Sequence, residues 1–102
     1  MKESELQAAI VEAAHVFSWR VAHFRPARTK HGWATPVSAD GAGWPDLVLV
    51  RDRLICAEVK GDGGRLRPEQ RAWLDAFYAA GVEAYVWTPK EWQSGDVESI
   101  LR

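Results

Sequence analysis

Residues 45–60 read Pro45-Asp46-Leu47-Val48-Leu49-Val50-Arg51-Asp52-Arg53-Leu54-Ile55-Cys56-Ala57-Glu58-Val59-Lys60, and this stretch decides the fold. Two apolar runs, 46–50 and 54–60, flank a polar Arg51-Asp52-Arg53 turn, which predicts a β-hairpin. The runs are continuous rather than alternating, so both faces of the strands are expected to be buried. Side chains alternate along a strand; Glu58 and Lys60 therefore share one face and Val59 takes the other. The hairpin reverses direction, which sets Asp46, at the start of the first strand, beside Glu58 and Lys60 at the end of the second. Three ionisable groups at one end of a buried sheet are costly unless they pair or hold an ion. Spacing alone leaves two readings open, a structural Asp–Lys or Glu–Lys pair and a cation site. Two carboxylates converging with a backbone carbonyl suit a hard cation such as Mg2+. Such an ion polarises a phosphate and lowers the pKa of a bound water. Lys60 would then stabilise the developing charge or orient the water.

Outward from the hairpin, Ser4 and Gln7 resemble a capping box, and Leu6, Ile10, Ala13, Ala14 and Phe17 recur at helical spacing. A helix is predicted over 5–17 and a short strand over 19–24. Residues 25–45 hold Pro26, Pro36, Pro45, Gly32, Gly41 and Gly43, which marks a long loop. Loops of that length in a compact domain are usually functional or mobile. After the hairpin, Gly61, Gly63 and Gly64 break the chain and are expected to let it approach a ligand closely. Pro68 suits the first position of a helix with a Trp73, Leu74, Phe77, Tyr78 stripe, and Gly81 suits its end. Residues 83–88 read as a last strand ended by Pro89, and 96–101 as a short helix capped by Asp96. The predicted order is αβββαβ, an α/β fold in a single domain over 1–102.

The chain of 102 residues fits one domain, and 47% hydrophobic with 26% charged residues excludes wholesale disorder. No run of about 18 apolar residues exists, so no membrane span is expected. Residues 1–5 lack the features of a signal peptide, and a cytoplasmic location is expected. The single Cys56 is read as a buried, inert thiol. Thirteen Lys and Arg against fourteen Asp and Glu give a net charge of −1, a weak argument against a nucleic-acid binder. The distribution reverses it. Arg20, Arg25, Arg28 and Lys30 lie in a stretch without an acid, and Arg65, Arg67 and Arg71 form a second basic group.

Pro45-Asp46, eleven intervening residues and Glu58-Val59-Lys60 are similar to the PD-(D/E)XK nuclease signature. Together with Gly43-Trp44-Pro45-Asp46-Leu47 and Gly64-Arg65-Leu66-Arg67-Pro68-Glu69-Gln70, the pattern resembles the VRR-NUC family from the first helix to the last strand. The resemblance implies a restriction-endonuclease-like core, with a central mixed sheet flanked by helices. It implies a DNA nuclease dependent on Mg2+ or Mn2+. Asp46, Glu58 and the Val59 carbonyl would be the metal ligands, Lys60 the catalytic lysine, and Gln70 a residue positioning water or phosphate. The family also places an acid on its first helix. Glu5 matches that position better than Glu12, from which it is separated by roughly 10 Å of helical rise. Small stand-alone members are associated with four-way junction cleavage, so the expected activity is that of a structure-selective endonuclease. It would act on branched DNA, Holliday junctions first, as a homodimer in a bacterial or phage-infected cell.

Arg25, Arg28, Lys30, Arg65, Arg67 and Arg71 are the expected DNA contacts. Trp33 is expected to be an exposed residue that stacks on or wedges between bases. Trp73 and Trp87 are read as core, and Trp19 and Trp92 as covering an edge or a partner. His15, His23 and His31 sit eight residues apart on different elements, which disfavours a shared zinc site. The rival to catalysis is a binding or assembly module that keeps the fold. A second alternative is a nicking or flap activity on duplex or branched DNA.

Overall fold

The 45–60 stretch forms the expected hairpin, and the remaining elements assemble around it. The computed structural model describes residues 1–34 and 36–102; residue 35, within the segment read as a loop, lies outside them. In chain order the elements are α1 (Glu3–Val16), β1 (Arg20–His23), β2 (Ala27–Thr29), β3 (Gly32–Ala34), β4 (Leu47–Val50), β5 (Leu54–Val59), α2 (Pro68–Ala79), β6 (Glu83–Trp87), α3 (Pro89–Gln93) and α4 (Asp96–Leu101). The main sheet has the order β1-β4-β5-β6. β1 and β5 pair antiparallel with β4, while β6 runs parallel to β5, so the sheet is mixed as expected.

Register sorts the side chains. Leu47 lies opposite Ala57 and Leu49 opposite Ile55, so these four share a face with Val59. That face joins Leu6, Ile10 and Ala14 of α1 and Val97 and Leu101 of α4 in the main core. Cys56 and Glu58 point to the opposite face, where α2 packs against β5 and β6. Cys56 is a buried free thiol, as expected, and burial pushes its pKa up to about 11. Among the described residues, only β5 is buried along nearly its whole length; in β4, Leu47 and Leu49 are buried but Val50 is 44% exposed. The single helix α2 spans β5 and β6 and leaves the second face of β4 partly open.

Several local readings change, among them the cap of α4, which is Gly95 rather than Asp96. α1 begins at Glu3 because Glu5, not Gln7, supplies the capping carboxylate: its Oε1 accepts the Lys2 N–H at 3.1 Å. The 25–45 segment contains the β2–β3 hairpin, which its short strands and Lys30-His31 tip disguised. Pro89 does not merely end a strand. Thr88-Pro89-Lys90-Glu91 is itself a capping box, with Glu91 Oε1 accepting the Thr88 N–H at 2.9 Å, and it starts α3.

The polar hairpin turn also anchors the C-terminus. Arg51 Nη1 donates to the carbonyls of Phe17 (3.0 Å) and Leu101 (3.1 Å), and its guanidinium lies 4.5 Å from the Trp19 ring. Trp19 is therefore core rather than edge cover: it is 3% exposed, and its Nε1 donates to the Leu101 carbonyl at 2.7 Å.

Candidate active site

Extending the β4–β5 register by one residue from Leu47 and Ala57 places Asp46 opposite Glu58. Asp46 Oδ2 accepts the Val59 N–H at 2.9 Å, and the Asp46 carbonyl accepts the Phe24 N–H at 2.8 Å. The next register position would pair Pro45 with Val59. Proline has no N–H, so it offers the Val59 carbonyl no ladder bond. The sheet thus ends at this point with a side chain bonded to one main-chain group of Val59 and a carbonyl left without its strand partner.

Glu58 is 1% exposed, and both carboxylate oxygens are buried without a donor. Burial pushes its pKa well above the ordinary value of 4.5; the neighbouring Asp46 carboxylate pushes it further, and Lys60 only partly offsets them. Asp46 is its cross-strand neighbour. With both groups ionised neither can donate, so Glu58 finds a donor there only if a proton sits between them. Among the described residues Lys60 forms no direct ion pair with either acid. The structural Asp–Lys or Glu–Lys pair, which spacing alone left open, is thus absent from these residues.

Among the described residues no three His, Cys, Asp or Glu side chains cluster tightly enough to hold a cation by themselves. The donor set is two carboxylates and a main-chain oxygen. A small hard cation that keeps several waters needs only one or two protein carboxylates. The orphaned Glu58 oxygens fit such an ion, since a positive charge is what they lack.

Two helix N-termini are brought to this end of the sheet by close glycine contacts. A Cβ on Gly61 would lie 2.5 Å from the Glu3 nitrogen, and one on Gly43 would lie 2.5 Å from the Glu69 carbonyl. Gly61 therefore serves to seat α1. The Met1 amine pairs with Asp62 in the same turn. Glu3 consequently stands near the acid pair. Its pKa is raised by burial first and then by Asp46, with Lys60 lowering it. Glu3, exposed like Glu5, is a further α1 acid near the pair that sequence reasoning did not weigh.

Glu5 is exposed and engaged with Lys2, and Glu12 lines a separate groove with His15, Val21 and His23. Gln70 is buried in the first turn of α2, where its Oε1 accepts the Arg67 N–H at 2.9 Å, leaving the amide nitrogen for other partners. Trp44 packs edge-on against Phe24, Trp73 and Phe77 with ring centroids 5.0–5.7 Å apart, next to Asp46 in sequence.

The basic residues fall into two sets. Arg25, Arg28 and Lys30 are exposed on or beside the β2–β3 hairpin, and Trp33 is 69% exposed with Arg28 at 6.0 Å from its ring. Arg65 is exposed, but Arg67 pairs with Glu69 at 3.3 Å and Arg71 with Asp75 at 3.7 Å, which moderates the second set. His15, His23 and His31 lie on α1, on β1 and at the hairpin tip.

A mixed sheet clasped by helices, with an aspartate across the hairpin from Glu-Val-Lys, is the architecture of a PD-(D/E)XK nuclease domain. The chain belongs to the VRR-NUC domain family, whose model matches residues 2–90. A Fanconi-associated nuclease 1 homolog of Caenorhabditis elegans is 44% identical over 48 residues, a stretch that is 44% of this chain and 6% of that protein. Two solved VRR-NUC domain structures share the fold. One superposes with a TM-score of 0.62 at 22% identity, covering 84% of this chain and 83% of the other. The second gives 0.61 at 21% identity, covering 86% and 78%. No helix among the described residues is long and apolar enough to cross a membrane.

Proposed function

We propose that the chain is a divalent-metal-dependent, structure-selective DNA endonuclease. It acts in the cytoplasm on branched DNA, with the Holliday junction as first substrate and a homodimer as the working form. The observation that carries the metal-dependent hydrolase reading is the Glu58 carboxylate, buried without a donor beside Asp46. A retired site has no physical reason to keep an unpaired buried acid there, which argues against a purely binding module.

Asp46, Glu58 and the Val59 carbonyl are the residues that would hold Mg2+ or Mn2+. Such an ion, when bound, supplies phosphate polarisation and an acidified water. Lys60 places a positive charge against the oxygens of the scissile phosphate as charge develops on them. The Gln70 amide nitrogen orients the attacking water or a phosphate oxygen. Glu3, rather than Glu5 or Glu12, is the α1 acid placed beside the reaction. The water oxygen bonds to phosphorus, the P–O bond to the leaving sugar oxygen breaks, and the water's proton is passed on to that oxygen or to solvent. Arg25, Arg28, Lys30, Arg65, Arg67 and Arg71 hold the phosphate backbone, and Trp33 meets the bases.

A grip of that size on so small a domain favours a dimer, and a two-fold pair of sites matches the symmetry of a four-way junction. The test is a panel of four-way junction, flap and linear duplex DNA with Mg2+ or Mn2+, with and without chelator, alongside light scattering. Chelator-sensitive cutting of the junction by a dimer is expected. A monomer that cuts duplex as fast as junction is instead a nicking nuclease.

A further inference from the structure

The β2–β3 hairpin springs from the metal end of the sheet. Phe24, the residue after β1, donates its N–H to the Asp46 carbonyl at 2.8 Å, and Arg25 and Pro26 lead directly into β2. Among the described residues, β2 and β3 pack chiefly on each other. An isolated two-stranded hairpin is marginal in water, so such an element is usually completed by a partner. This one is locked at its tip: the Thr29 hydroxyl donates to the Gly32 carbonyl at 2.7 Å and accepts the His31 N–H at 3.2 Å.

The hairpin's two faces differ. Arg28 and Trp33 are register partners and so share one face, where the guanidinium lies 6.0 Å from the ring. Ala27, Thr29 and Gly32 offer only small groups on the other. The element is therefore a thin blade with an aromatic–cation platform on one side and Lys30 and His31 at its tip. No acid occurs between Glu12 and Asp40, so nothing on the blade repels a phosphate. An exposed aromatic plane bearing a cation suits stacking against a base that has left its duplex, whereas a paired duplex offers mainly phosphate contacts.

We propose that residues 27–34 form a branch-sensing wedge, in which an unpaired or unstacked base at a DNA branch point stacks on Trp33 and Arg28 holds its flanking phosphate. This deepens the branched-DNA reading above and rests on it. The span from Phe24 to the platform is short, within about 20 Å of Asp46 at about 3.3 Å per residue. At 3.4 Å per nucleotide the wedge would fix the cut within about six nucleotides of the branch.

The experiment measures affinity of the full chain for a four-way junction and for a linear duplex of the same sequence, in chelator so that no hydrolysis is needed. Trp33→Ala is expected to weaken junction binding roughly tenfold or more, the loss of one stacked base, with a much smaller change on duplex. Trp33→Phe should retain most of the preference. Equal losses on both DNAs, no loss, or a wild-type chain without junction preference overturns the wedge. If junction preference depends on Trp33 but no metal supports cleavage, the hydrolase reading falls and the wedge stands. If the chain cuts DNA and Trp33→Ala keeps its preference, the wedge falls alone.

Discussion

Asp46 and Val59 are joined by a side chain where a sheet would normally use main chain: Asp46 Oδ2 accepts the Val59 N–H at 2.9 Å. This bond orients the aspartate at the strand end, directly across from Glu58. Asp46→Asn keeps an acceptor for that N–H, while Asp46→Ala does not. Chemical denaturation should find the Ala variant less stable than the Asn variant by about 1–3 kcal/mol, the cost of a buried donor without a partner. Both should lose cleavage. Equal stabilities would remove the structural role of this bond.

Glu58 trades stability for a charge. Its pKa in the folded chain is raised above the ordinary 4.5, so above that pH the native state holds a proton the unfolded state has lost. Stability of the metal-free protein should therefore fall as pH rises from about 4.5 toward the folded pKa. Glu58→Gln removes this dependence and should be more stable than wild type at pH 7 in chelator. Urea melts across pH 5–8 check the sign, and a wild-type stability that rises over this window would contradict it. Added Mg2+ should stabilise wild type more at higher pH and leave Glu58→Gln nearly unaffected.

Gly43→Ala strains the seat of α2 twice, through a φ of +86° and a Cβ 2.5 Å from the Glu69 carbonyl. Overpacking of this kind typically costs about 1–3 kcal/mol. The thermal midpoint should drop, and cleavage should fall by more than the folded fraction, because Gln70 moves with the start of α2.

Arg51→Ala provides a contrast away from the site. It removes donors to the Phe17, Leu101 and Arg102 carbonyls and a cation from the Trp19 ring. A loss of about 2 kcal/mol is expected from the charged hydrogen bonds, with metal response retained. Arg51→Lys should not restore stability, since a single ammonium cannot reproduce the planar fork.

The hairpin of the candidate site was legible because two independent periodicities met there: strand alternation fixed the faces of Glu58, Val59 and Lys60, and chain reversal brought Asp46 to them. Its buried second face was over-read for β4, since an apolar Val48 or Val50 does not reveal how far one helix extends over a sheet. For the α1 acid the sequence offered Glu5 and Glu12 and did not single out Glu3, because the seating of the helix start on Gly61 is a packing contact that no local pattern reveals. The β2–β3 hairpin escaped notice because three-residue strands give too few alternations to register. Arg51 and Arg53 looked like turn polarity, and their task of anchoring the C-terminal segment is a contact 50 residues distant in sequence for Arg51 and 47 for Arg53.

The most direct measurement is single-turnover cleavage of an end-labelled four-way junction by wild type and Glu58→Ala, with Mg2+ and then with excess chelator. Wild type should cut only with the cation, and Glu58→Ala should bind the junction but cut it at least about a thousandfold more slowly, about 4 kcal/mol of lost stabilisation at the reacting phosphate. Cutting that survives the chelator, or full activity in Glu58→Ala, would contradict a metal-dependent site built on Asp46 and Glu58.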